Sequence, residues 1–308
     1  MIDVIIPVYR PDEKLEHLIE KLNCQTIEPE HIFFMQTTTG EAEEDKRVHK
    51  LLEKAKHAVI TEIAKKDFDH GGTRNQGASM SQAEFMLFMT QDAVPTDEYL
   101  IENFLHAMQR DEKIGTAYGR QLPNDEVGVI ERYTRQFNYP DESSVKSKED
   151  IDRLGIKTYF CSNVCAMYRR TVYEEMGGFV LHTIFNEDMI MASKVINAGY
   201  KVAYCADAIV FHSHSYTCMQ QFRRNFDLGV SQKQYDDVFG NISSEKEGAG
   251  YAGKIILALL RRGEILKAVY FVLQCVFKLA GYRLGINYDK LPKKIILWCT
   301  MNKGYWMF

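Results

Sequence analysis

MLFMTQDAVP, residues 86–95, runs four large apolar residues into Thr90 and Gln91, then into a single carboxylate, Asp92, and stops at Pro95. A short, continuous apolar run closed by a turn signal reads as a strand buried on both faces, the kind that fills parallel sheets. The reading therefore sets Phe85–Thr90 as a central strand with Asp92 just past its carboxyl end. Ligands of open parallel sheets bind at that end, and a hard divalent cation needs only one or two protein carboxylates when a substrate brings phosphate. An acid before a proline-containing loop also caps turns without any chemistry, so Asp92 alone decides nothing.

The rest of the amino-terminal half repeats the pattern. MIDVIIPVYR (1–10) holds a β-branched strand closed by Pro7. Leu15, Leu18, Ile19 and Leu22 recur at helical spacing over 12–24. A second strand over 31–35 empties into the polar run Gln36-Thr37-Thr38-Thr39-Gly40, a charged helix follows near 41–55, and 57–60 forms a third strand. Residues 72–83 suit a helix that leads into the strand first quoted. Strands alternating with helices imply an open, mostly parallel α/β sheet with right-handed crossovers. Farther on, 121–157 is charged and aperiodic and reads as loops and short helices. Residues 158–168 resume strand character, 187–198 form a helix ended by Gly199, and 200–210 form a strand broken around Asp207.

Composition bounds the class. The chain has 308 residues, 45% hydrophobic and 26% charged, ordinary for a soluble protein with one large domain and an appendage. Its seven cysteines are scattered and lack zinc-ligand spacing, so they read as reduced thiols in a cytosolic setting. No basic segment followed by an apolar one opens the sequence, and no secretory leader is expected. The net charge of −4 hides an asymmetry: residues 251–308 contain ten Lys/Arg against Glu264 and Asp289, a balance of +8, which leaves −12 for residues 1–250. That basic tail has apolar helical faces, but its longest charge-free run, 268–277, is ten residues, whereas crossing a bilayer takes about 20. It reads either as an amphipathic segment lying in a membrane interface, with Trp298, Tyr305 and Trp306 as anchors, or as a helical pair packed on the body. An acidic body and a tail without a recognition motif argue against nucleic acid. The lack of G-x-G-x-x-G after the first strand argues against a nicotinamide dehydrogenase.

Five stretches in order, VIIPVYR (4–10), FDHGGTRNQGA (68–78), TQDAVP (90–95), NEDMIMASKVINAGYKVAY (186–204) and FHSHSYT (211–217), resemble family 2 glycosyltransferases with the GT-A fold. Within them the sequence is most similar to bacterial rhamnosyltransferases that use dTDP-L-rhamnose, and the similarity covers roughly the first 230 residues. The resemblance implies a nucleotide-diphospho-sugar transferase fold over 1–235 and a basic, amphipathic helical extension over 236–308. It implies that Pro7, Val8, Tyr9 and Thr37 line the nucleotide, and that Asp69, His70, Arg74 and Asn75 face the donor. Asp92 would hold Mg²⁺ or Mn²⁺, completed by one of His212 or His214, and Asp188 would be the catalytic base. Apart from the resemblance, the chemistry needs positive charge at the leaving diphosphate, which Arg223 or Arg224 in QQFRRNFD would help to supply. The chain departs from the family pattern after the second strand, where Gln36–Glu41 replaces an acidic, serine-rich loop, and at Gln91-Asp92-Ala93, a reduced form of the usual Asp-x-Asp.

The expected activity is inverting, metal-dependent transfer of a sugar, L-rhamnose first, to a saccharide or lipid-linked saccharide acceptor in surface polysaccharide synthesis. The expected location is cytoplasmic, peripheral on the inner face of the cell membrane. Two rivals stand beside it: transfer of galactose or N-acetylglucosamine from a UDP donor, and a non-catalytic nucleotide-binding scaffold. Several residues also have structural readings. Glu187 and Asp188 suit the positive end of a helix without catalysis, and Arg224 suits an exposed basic face.

Overall fold

The computed structural model describes residues 1–124, 127–240 and 245–307. Strands β1 (Ile2–Val8), β2 (His31–Thr37), β3 (Ala58–Ile63) and β4 (Phe85–Met89) alternate with helices α1 (Lys14–Asn23), α2 (Ala42–Leu52) and α3 (His70–Met80). The two-residue β5 (Val94–Pro95), α4 (Leu100–Gln109) and β6 (Ile114–Leu122) come next. After them the chain forms α5 (Val129–Asn138), β7 (Ser144–Lys146), the short α6 (Ile151–Leu154), β8 (Cys165–Arg169) and α7 (Arg170–Glu175). Then follow α8 (Glu187–Asn197), β9 (Lys201–Phe211), α9 (Cys218–Gln234), the short α10 (Asp236–Phe239), α11 (Glu245–Arg261), α12 (Ile265–Ile286) and α13 (Lys293–Cys299).

The strands form one sheet in the order β3-β2-β1-β4-β8-β6-β9-β5, with β7 paired to β9. Its first half is parallel: Asp3 stands opposite His31, and Ile2 opposite Phe85. Beyond β4 the sheet is mixed, because β8 runs antiparallel to both β4 and β6. The parallel half follows from composition. Every residue of β4 is buried, and β1 buries all but Pro7, as strands covered on both faces must be. Gly77 lets α3 lie close on β1, since a Cβ there would stand 2.6 Å from Ile5 Cγ2.

Contacts divide the chain into two units. One comprises Met1–Asn124, Tyr139–Leu181 and Glu187–Ser213; the other comprises Asp125–Asn138, His182–Asn186 and His214–Phe308. The sequence reading drew a single boundary at 235/236, whereas here α9 groups with the helices that follow it. In this second unit α9 and α12 run in backbone contact: a Cβ on Gly281 or Gly285 would stand 2.1 or 2.2 Å from the carbonyl oxygens of Phe222 or Phe226. Phe222, Phe226 and Val230 of α9 form its core with Ile184, Ile296 and Cys299. Asp227, buried beside them, accepts from the Thr300 hydroxyl at 2.6 Å and the Met301 amide at 2.9 Å, tying down the chain after α13.

Three sequence readings change. Residues 158–164 are not strand: a 3-10 turn over Gly155–Tyr159 and an irregular stretch precede β8, which covers only Cys165–Arg169. The strand expected to break at Asp207 is one strand, in which Cys205 pairs with Gly119 and Ile209 with Arg120, so that residues 206–208 bulge out of the ladder. The ten-residue apolar run belongs to a 22-residue helix that continues through Lys278, long and apolar enough by length and composition to cross a bilayer.

Candidate active site

The amino-terminal unit gathers chemistry at the carboxyl ends of β1 and β4. Gln91 sits in the turn after β4 and grips the end of β1: its Oε1 accepts from the Tyr9 amide at 2.8 Å, and its Nε2 donates to the Tyr9 carbonyl at 3.0 Å. Gln91, the neighbour of Asp92 in the reduced motif, therefore holds the Pro7-Val8-Tyr9 loop in place. Val8 is buried, Pro7 and Tyr9 are half-buried, and the Tyr9 ring lies 5.5 Å from Lys65 Nζ. Thr37, at the end of β2, is buried as well.

Asp92 lies in the same turn. His212, one residue past β9, places Nε2 3.5 Å from Asp92 Oδ2. Its Nδ1 meets Gln121 Oε1 at 3.0 Å, and Gln121 Nε2 donates to Ser162 Oγ at 3.0 Å. With the Gln121 oxygen toward the ring, His212 would carry its proton on Nδ1 and offer Nε2 to an ion shared with Asp92. One carboxylate oxygen and one oriented imidazole nitrogen fit a divalent cation that shares its shell with phosphate oxygens. Gln121 was not foreseen from sequence, where nothing separates it from other polar residues of the middle region.

The second acid is linked to the first through β8's entry. The Thr90 amide donates to the Val164 carbonyl at 3.1 Å, while the neighbouring Asn163 amide donates to Asp188 Oδ2 at 3.1 Å. Asp188 opens α8 beside Glu187, and the two carboxyls are driven apart. Burial, reinforced by the Glu187 charge, pushes Asp188 up to about 7. Burial also pushes Glu187 upward, but Arg74 and then His70 outweigh it and hold Glu187 below the usual carboxylate range. The Arg74 guanidinium, nearly buried, stands 3.4 Å from Glu187 and donates to the His70 carbonyl at 2.8 Å.

Arg74 is thus placed against an acid within the protein. Asn75 is similarly engaged, donating to the Phe179 carbonyl at 2.8 Å and accepting from the Phe179 amide at 2.9 Å and from the Tyr173 hydroxyl. Asp69 caps α3, accepting from the Gly72 amide at 2.6 Å, and burial pushes His70 below its ordinary value. In the second unit His214 lies 5.4 Å, ring to ring, from Tyr216, and the exposed Arg224 stacks over Phe185 at 4.6 Å.

Comparison with known proteins bears on this arrangement. The chain is 38% identical to the O-antigen chain rhamnosyltransferase RfbN of Salmonella typhimurium, over 99% of its own length and 96% of that protein. It is 42% identical to the O-antigen chain rhamnosyltransferase WbaN of Salmonella anatum, over 80% and 78% of the two chains. Among solved structures its fold resembles a mannosyltransferase of Pyrobaculum calidifontis in complex with GDP-Man and Mn²⁺, with a TM-score of 0.56 at 15% identity over 90% of this chain and 86% of that one. It also resembles TarS of S. aureus in complex with UDP, at 0.55 and 13% over 94% and 91%. Residues 3–177 match the sequence model of glycosyl transferase family 2. A mixed sheet with Asp92 past the end of β4 and Asp188 at the start of α8, nucleotide-sugar enzymes as structural neighbours and that match lead to one assignment: the chain is a glycosyltransferase of family 2 with the GT-A fold.

Proposed function

We propose that the enzyme transfers L-rhamnose from dTDP-L-rhamnose, with inversion, to a hydroxyl of a lipid-linked or growing saccharide in surface polysaccharide synthesis, working at the cytoplasmic face of the cell membrane. The sugar rests on the two rhamnosyltransferase relatives; the chemistry rests on Asp188. A carboxyl raised toward neutrality by burial and a neighbouring charge is suited to accept a proton from an acceptor hydroxyl. As that proton moves to Asp188, the hydroxyl oxygen attacks the anomeric carbon and the nucleotide diphosphate departs from the opposite face. With no sugar–enzyme bond formed, the anomeric configuration inverts.

In this reading the Pro7-Val8-Tyr9 loop, held by Gln91, supports the nucleotide together with Thr37, and Asp69 and His70 at the start of α3 border the donor. Arg74 and Asn75 shape that border from beneath, through Glu187 and Phe179. Asp92 with one of His212 or His214 would hold Mg²⁺ or Mn²⁺, and the 3.5 Å approach of His212 Nε2 to Asp92 favours His212. When bound, the cation supplies positive charge to the leaving diphosphate, and Arg224 is expected to add to it. Release of nucleotide from a panel of dTDP-, UDP- and GDP-sugars, with and without Mg²⁺ or Mn²⁺ and with a lipid-linked acceptor pool, tests the reading. Metal-dependent release from dTDP-rhamnose alone is expected. Release from UDP-galactose or UDP-N-acetylglucosamine instead would replace the sugar, and silence with every donor and acceptor would favour a non-catalytic scaffold.

A further inference from the structure

The second unit carries an apolar surface that the transfer chemistry does not use. Along α12, Ile265, Leu266, Val269, Leu273, Val276 and Leu279 are 46–87% exposed. They recur three and four residues apart and so form one stripe, while Ala268, Phe271, Gln274, Gly281 and Gly285 form the buried side. Leu257 and Leu260 of α11 are exposed as well. A stripe of this length on a water-soluble surface marks a contact with something apolar. Basic side chains stand at both ends of α12: exposed Arg261, Arg262 and Lys267 around its start, and exposed Arg283 in its last turn with exposed Lys290 and Lys293 past its end.

We propose that this face of α12 docks on the surface of a lipid bilayer rich in anionic headgroups, lying in the interface without crossing it. Charge selects lipid over a second copy of the chain: a dimer through this face would bring together two segments of +8, whereas an anionic leaflet complements them. Packing selects lying over spanning. The buried side of α12 is locked to α9 by the Gly281 and Gly285 contacts and by Tyr282, whose hydroxyl donates to Gln232 at 2.7 Å. To cross, α12 would have to take with it a helix bearing Arg223, Arg224, Asp227 and Lys233. The anchors differ from those read in the sequence. Tyr305 and Trp306 pack edge to face at 5.2 Å and are partly buried on the core of this unit, which leaves Trp298 the exposed one of the three.

This inference deepens the proposed location at a membrane, and its test is independent of catalysis. The full chain is floated with phosphatidylcholine vesicles, with and without phosphatidylglycerol, at low and high salt. Flotation with the anionic vesicles, weakened by salt, is expected. Leu266→Glu with Leu273→Glu is expected to abolish it while leaving nucleotide release to a water-soluble acceptor unchanged. Arg261→Gln, Arg262→Gln and Lys267→Gln together should weaken binding on the order of a hundredfold, the effect of three basic groups near an anionic surface. Undiminished flotation of either variant overturns the proposal. So does a wild-type protein that ignores vesicles but forms dimers that the leucine substitutions dissociate, which would make the face a contact between copies. Flotation with no sugar transfer from any donor would leave the docking face standing and remove the catalytic reading instead.

Discussion

Asp188 and Glu187 are adjacent carboxyls in one buried pocket, yet their proton affinities diverge because Arg74 faces only one of them at ion-pair distance. If Asp188 is the base, the rate must rise with pH as it deprotonates, giving an acid limb near 7. Glu187→Gln removes the negative charge that helps hold the Asp188 proton and leaves the Arg74 charge uncompensated, so the limb should move down by roughly one pH unit. Asp188→Asn should cost about 10²–10⁴ in kcat with donor affinity retained. Both are read from pH profiles of nucleotide release, and an unmoved limb or a fully active Asn variant removes Asp188 from the role. Stability carries the same signature. The folded state binds the Asp188 proton more tightly than the unfolded chain, so stability falls as pH rises from 3.8 to about 7. Gln121 makes a separate prediction. Gln121→Leu removes the hydrogen-bond partner of His212 Nδ1 and with it the orientation of the ring, and the affinity for Mn²⁺ in the presence of dTDP should drop about 10–100-fold by calorimetry. Asp92, Asp188 and the histidines were legible as residues because their types are chemical. Gln121 and Ser162 were not, since their part depends on which atoms the sheet sets face to face.

At the scale of elements, the parallel half of the sheet could be read because β1, β2 and β4 are apolar on both faces, which few other structures tolerate. β6 escaped notice because IGTAYGRQL mixes glycines and polar groups into a strand. Residues 158–164 were misjudged because their apolar character serves an irregular stretch whose Asn163 and Val164 backbone ties the two acids together. Gln91 shows the same gap between residue type and placement: from sequence it is a weakened metal motif, in the fold a two-point clamp on Tyr9. Gln91→Ala frees the β1 loop while leaving Asp92 in place. The KM for donor should rise about tenfold, the worth of one to two net hydrogen bonds, with kcat largely spared. Steady-state kinetics in donor concentration separate the two, and a fall in kcat at unchanged KM would place Gln91 in the chemistry instead.

Across the whole molecule, the acidic and basic parts of the chain suggest an enzyme body with a removable basic tail, but the contacts argue against removing it. α9 lies before residue 236 in sequence, yet its Phe222, Phe226 and Val230 are buried with Ile296 and Cys299, and its backbone meets that of α12. Deleting 251–308 would therefore strip the cover from three large side chains, each worth about 1.5–3 kcal/mol of burial, a sum comparable to the whole stability of many domains. The truncated protein should aggregate or elute as large assemblies on size-exclusion chromatography. Its loss of membrane binding would then say nothing about lipid, which is why point substitutions on the exposed stripe are the sharper probe. A soluble, monomeric and active chain ending at residue 250 would show that α9 closes its own core and that the enzyme needs nothing beyond residue 250, where the charge along the sequence turns basic.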